Sequence, residues 1–335
     1  MMVGSNYDFC IVCRKNTEYT LAKKNIVKTI NGNVYTFKIT VAICTQCGTE
    51  MSIPGLIDRN IKEVDAQYRA STGIISVENI EKLMKIYKLG KDPLSVALGF
   101  GEITIRRYLE GQMPSKEYSD IMKLALSSPK FMKSRLLKNK SKLSPVAFNK
   151  AIKIATQLDN LFSVSKEMLC TISYLFSKMH EFTDLELQKL LYYVQGVSYA
   201  VNDKTIFEES CQAWIHGPVY CNVHTMFEAF KFNLSDDARF AIVVTQKNIL
   251  SKNDCKVIDL VIETFGMYSG RILELITRKE TPWLNARAGC DDDVPSNEII
   301  SANVIRDYFK KEHAIYNFST KNGIMKYIDN TLCHT

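Results

Sequence analysis

The 335-residue chain has no apolar run approaching the roughly 20 residues that a membrane-spanning helix needs, and Met1 to Cys10 lacks the basic and then apolar regions of a secretory signal. A cytoplasmic protein with no membrane partner is expected. Histidine is scarce, with only His180, His216, His224, His313 and His334. No nucleophile elbow or phosphate loop accompanies them, and Gly99-Phe100-Gly101 has neither the preceding strand nor the third glycine of a dinucleotide fingerprint. A Cys/His nucleophilic pair such as Cys221 with His216 or His224 is conceivable, and the Asp291-Asp292-Asp293 run reads as a solvated loop. A binding protein is therefore expected, and not an enzyme. Internal repeats and low-complexity segments are also missing.

What is present is unevenly distributed. Residues 1–150 carry 24 Lys+Arg against 13 Asp+Glu, a net +11, whereas residues 151–335 carry 19 against 23, a net −4. The basic half suits a polyanion such as nucleic acid. At 46% hydrophobic residues the chain can fill more than one core.

Cysteine is plentiful, and in a reducing cytosol paired cysteines point to metal ligands before disulfides. Cys10-x-x-Cys13 and Cys44-x-x-Cys47 flank two alternating segments, Thr17 to Ile30 and Val34 to Ile43, around the turn signal Asn31-Gly32-Asn33. Two residues between thiolates aim both sulfurs at one ion, and the hairpin returns the second pair to complete a tetrahedral S4 site. Iron also accepts such a site; zinc as a single structural ion, Zn2+, is the preferred reading, since four thiolates leave no position open for catalysis. Cys170, Cys211, Cys221, Cys255, Cys290 and Cys333 are scattered singly and read as thiols without a metal role.

Between residues 76 and 128 the pattern predicts a cluster of short helices. Ser76 caps a helix whose apolar stripe is Ile80, Leu83, Met84 and Tyr87, and Asp92-Pro93 opens a second. A glycine break precedes a third from about Glu102 to Glu110, and Pro114 opens a fourth. The arrangement fits a helix-turn-helix whose third helix presents Glu102, Thr104, Arg106 and Arg107 to DNA, with Ile105 and Leu109 turned inward. The basic stretch Ser127 to Ser144 and a helix from Val146 to Phe162 read as a connector. Beyond Val164 the chain is helical by period, with Leu187, Leu190, Leu191, Val194 and Val197 on one face.

The order CxxC, hairpin, CxxC-G, then helices containing Gly99-Phe100-Gly101-Glu102-Ile103-Thr104-Ile105-Arg106-Arg107-Tyr108-Leu109-Glu110-Gly111 resembles the MqsA or YgiT type of antitoxin over about residues 8–130. In that family the recognition helix carries an arginine followed by a tyrosine, which falls on Arg107-Tyr108. A base-contacting asparagine of the family would fall on Ile103, which has no side-chain donor or acceptor, so the family's operator sequence does not carry over.

A second resemblance covers about residues 165–310. Leu187-Gln188-Lys189-Leu190-Leu191-Tyr192-Tyr193, then Ala213-Trp214-Ile215-His216-Gly217-Pro218-Val219, then Thr277-Arg278-Lys279-Glu280-Thr281-Pro282-Trp283 is similar to the spaced motifs of the SocA-like Panacea domain. Arg278 stands where that family often has histidine. Gly217-Pro218 is expected to end one segment and start the next helix, holding Trp214 against the helix of Tyr192 and Tyr193. Gln188, Lys189, Tyr192, Tyr193, Trp214 and His216 are candidates to line a partner groove, although packing inside a domain explains them as well.

The resemblances together imply a mainly α fold in four parts: a small β zinc ribbon at 1–60, a helix-turn-helix DNA-binding domain at 70–130, a connector at 131–164 and an α-helical Panacea domain at 165–335. They imply an antitoxin of a type II system that neutralises a cognate toxin through its C-terminal domain and binds operator DNA through its N-terminal half as a homodimer. A transcription regulator with a ligand-sensing C-terminal half, and a protease adaptor for a client toxin, are the alternatives.

Overall fold

A computed structural model of the chain describes residues 6–30, 32–179, 181–230, 237–246, 248–291 and 294–333. The fold is mainly α, with two small antiparallel sheets. It divides into two compact units, one from residues 1–81, 90–96 and 100–123 and the other from residues 82–89, 97–99 and 124–335.

In the first unit, β1 (Tyr7–Cys10), β2 (Lys15–Ile30), β3 (Asn33–Cys44) and β4 (Glu50–Met51) form a sheet in that order. The predicted hairpin is there, with β2 and β3 paired from Tyr19 opposite Cys44 to Ile30 opposite Asn33. Gly32 of its turn is left-handed at φ 80°, as the turn requires, while Asn31 lies outside the described residues, as do Asp292 and Asp293.

Helix α1 (Leu56–Thr72) was not anticipated. Gly55 precedes it without a side-chain cap, so no local start signal marks it. Its anchorage is tertiary. Gln67 accepts from the Lys38 amide and donates to the Lys38 carbonyl, both at 2.8 Å, and Glu63 accepts from the Thr40 amide at 2.9 Å. Side chains of α1 thus satisfy β3 backbone groups that an open sheet edge would leave to water.

The short helices follow the sequence closely. Helix α2 (Val77–Tyr87) is capped by Ser76, whose hydroxyl accepts from the Asn79 amide, and it buries Ile80, Leu83 and Tyr87. Helix α3 (Lys91–Leu98) starts earlier than expected: the Leu94 amide bonds the Gly90 carbonyl, which puts Asp92 inside the first turn. Helix α4 (Thr104–Leu109) is shorter than expected, with Glu102 in the preceding turn, and α5 (Lys116–Ser127) is capped by Ser115.

The expected connector is folded. Helices α6 (Pro129–Lys138) and α7 (Pro145–Leu161) start at Ser128 and Ser144, whose hydroxyls accept from the Phe131 and Ala147 amides, each followed by proline at the first helical position. Those Ser-Pro pairs are helix starts and not the ends of a linker. Met132 and Leu136 are buried as α6 packs along α7.

The remaining chain builds a helical body around α9 (Asp184–Asn202), which follows α8 (Lys166–Met179). Thr183 and Glu186 close a capping box at its start. Every residue from Leu187 to Tyr199 is buried, so α9 has no solvent face, and α12, α13 and α15 pack around it. A second sheet, ordered β6-β5-β7, joins β5 (Cys211–Trp214), β6 (Gly217–Val219) and, later, β7 (Ile299–Ile300). Gly217-Pro218 therefore lies in a strand, correcting the expected helix start; α10 (Cys221–Glu228) begins after it. Then come α11 (Ala241–Val244), α12 (Lys252–Thr264), α13 (Gly270–Thr277), α14 (Thr281–Ala286), α15 (Ala302–Tyr316) and α16 (Lys321–Cys333). Among the described residues no helix is long and apolar enough to cross a membrane.

Candidate functional site

The strand ends bring the four predicted cysteines together. Cys10 closes β1, Cys44 closes β3, and the turns after them place Cys13 and Cys47. All four sulfurs lie within 4.8 Å of one another, with Cys10 to Cys47 at 3.6 Å and Cys13 to Cys44 at 3.9 Å. Zn–S bonds of about 2.3 Å in a tetrahedron put sulfurs about 3.8 Å apart, so the set fits such an ion. The Thr17 hydroxyl, 3.3 Å from Cys44 Sγ, together with the Cys47 backbone amide holds the Cys44 thiol down at about 6. Hydrogen bonding to Cys47 together with burial pushes Cys13 up to about 12.

In the same unit, the Ile105 amide at the start of α4 donates to Ser95 Oγ at 2.8 Å, and Ile105 and Tyr108 are buried. This seats α4 with Arg106 and Arg107 exposed and Thr104 half-buried. Arg106 makes a 2.8 Å ion pair with Asp92, whereas Glu102 is exposed in the turn before the helix. Tyr108 points inward, so of the Arg-Tyr pair only Arg107 can meet a ligand.

In the other unit the six candidates for a partner groove separate. Gln188, Lys189, Tyr192 and Tyr193 are at most 1% exposed and hold the interior together; they are not groove residues. Gln188 accepts from the Tyr220 amide at 2.8 Å. Lys189 donates to the Pro218 carbonyl at 3.0 Å, and burial pulls its amine down to about 8. Gly217 sits over that amine in a left-handed conformation, φ 93°, where a Cβ would come within 3.0 Å of Lys189 and 2.7 Å of Thr277. Tyr193 stacks on Phe265, ring centroids 3.7 Å apart.

Trp214 and His216 do reach the surface. They lie on the β5–β6 hairpin, where Trp214 pairs with Gly217 and His216 occupies the turn. His216 Nδ1 is 2.9 Å from Oε1 of Glu274, which stands one helical turn before Arg278 and carries no local signal of its role. Burial would raise the Glu274 carboxyl, but the His216 bond and the His216 and Arg271 charges hold it below its ordinary value. Trp283 Nε1 donates to the Trp214 carbonyl at 2.8 Å, which ties the second and third sequence motifs into one substructure.

Residues 187–284 match the family model described as antitoxin SocA-like, Panacea domain. The chain carries a Panacea antitoxin domain there. Comparison with curated proteins and with solved structures finds no match. The helical body around the matched residues continues past them: Tyr327 of α16, like Tyr193, donates to Glu280 Oε1, and Phe309 of α15 packs on Tyr192 and Tyr193.

Proposed function

We propose that the protein is the antitoxin of a type II toxin–antitoxin pair, a non-catalytic binding protein acting in the cytoplasm. Its Panacea unit neutralises a cognate toxin by direct contact, and its basic N-terminal unit holds one structural zinc ion and binds operator DNA as a homodimer. The observation that carries this reading is the Panacea match at residues 187–284, on the substructure that joins Trp214, Gly217 and Trp283. Support for the DNA role comes from the exposed guanidinium of Arg107 on a short helix seated by Ser95, in the half of the chain with net +11. The four-sulfur geometry supports zinc, which would stabilise the ribbon and supply no reaction.

The test is growth of a bacterial host expressing the adjacent gene, with and without this protein. Arrest by the neighbour alone and recovery on co-expression are expected. A harmless neighbour would overturn the antitoxin reading in favour of a ligand-sensing regulator.

A further inference from the structure

Both tryptophans of the chain, Trp214 and Trp283, stand in one region of the Panacea unit. Trp283 is buried with Arg278 and Arg287 over its ring, 5.2 and 5.1 Å from the centroid, and it backs the hairpin that carries the half-buried Trp214. Beside them Glu274, only 2% exposed, has its charge consumed from three sides: His216 at 2.9 Å, Arg271 at 3.1 Å and Arg278 at 3.9 Å. The His216 ring and the Arg271 guanidinium face water, since the His216 side chain is 66% exposed and that of Arg271 71%. On the other flank of Trp214 the acids Asp184 and Glu228 already hold His224, at 2.6 and 3.4 Å.

We propose that this rim of His216, Arg271 and Arg278 around Trp214 docks an acidic segment of the toxin, one with carboxylates next to an apolar side chain. The proposal rests on the antitoxin reading and adds the surface and the chemistry of the partner. A protein segment fits better than nucleic acid because residues 151–335 carry net −4 and repel a long polyanion, while a short acidic stretch meets the guanidiniums of Arg271 and Arg278, which outnumber the one carboxylate of Glu274 between them. Tryptophan and arginine at the centre of an interface concentrate binding energy, and Leu275, exposed one helical turn beyond Arg271, offers the apolar contact.

The two tryptophans make the region its own reporter. Full-length protein is titrated with a short synthetic peptide of glutamates interrupted by leucine while tryptophan emission is followed. A saturable change is expected, weakened at least tenfold by Arg271→Gln combined with His216→Gln and by raised salt, retained with Arg271→Lys, and not reproduced by a lysine–leucine peptide. No saturable response, or equal affinity for the double variant, overturns the proposal. In the double variant Glu274 keeps its pair with Arg278, and an unchanged helical signal before peptide is added verifies that the variant folds. In the co-expression assay the double variant is expected to lose protection. Full protection by it would overturn this surface and leave the antitoxin reading standing, whereas failure of the unaltered protein to protect would overturn both.

Discussion

Tyr193 and Glu280, 87 positions apart in the chain, meet through a 2.9 Å hydrogen bond from the tyrosine hydroxyl to Oε1 of the carboxyl. Tyr327 donates to the same oxygen, so one acid joins α9, the start of α14 and α16. Glu280 is buried, and burial pushes its carboxyl up to about 7 although the tyrosine hydroxyls favour the charged form.

That acid should make the Panacea unit sensitive to pH. The folded state holds the Glu280 proton up to about pH 7 and the unfolded chain releases it near the ordinary glutamate value, so between those values the folded state binds more protons and stability falls as pH rises. Glu280→Gln keeps an acceptor without the charge. The variant should match the parent near pH 4 and exceed it above pH 7 by on the order of 3 kcal/mol, read from denaturant melts followed by tryptophan emission. A variant with the parent's pH profile would refute the assignment.

Replacing Cys44 and Cys47 by serine removes two of the four sulfurs. Purified protein should drop from one zinc per chain to none and lose strand signal, while the emission of Trp214 and Trp283 stays unchanged because both lie in the other unit. Unchanged metal content would exclude the four-thiolate site.

Arg107→Ala should weaken operator binding roughly tenfold to a hundredfold at fixed salt, the worth of one bidentate base contact. Combined with Arg106→Ala it should leave protection against the toxin intact. Equal loss of both activities would argue that the two functions are not carried separately.

Gly217→Ala forces a Cβ against Thr277 and Lys189 in a backbone conformation that favours glycine. A loss on the order of 2 kcal/mol or more is expected, read as a lower melting temperature of the Panacea unit. An unchanged melting temperature would mean that the hairpin moves freely away from α9.

A fragment beginning at Ser128 should protect a host better than one beginning at residue 165. The longer fragment keeps α6 and α7, and Phe162 after α7 packs against Phe230, centroids 5.9 Å apart. Equal protection by both would show that these helices contribute nothing to the Panacea unit.

The sequence by itself determined whatever rests on neighbours in the chain. Cysteine spacing marked the four-sulfur cluster, alternation marked the β2–β3 hairpin, Ser76 marked a helix start, and three spaced motifs marked the Panacea domain. Each is a short-range pattern, because capping, turn formation and chelation by a CxxC pair are local events. Tertiary structure decided the rest. Helix α1 owes its place to hydrogen bonds with β3 made more than twenty residues away, so no local signal announced it. Lys189 and Tyr193 look like contact residues by type, and only the packing of α12, α13 and α15 on every side of α9 turned them inward. Glu274 and Glu280 carry no local mark of burial, and distant chain closes over them, for burial is a property of the whole fold and no single segment encodes it.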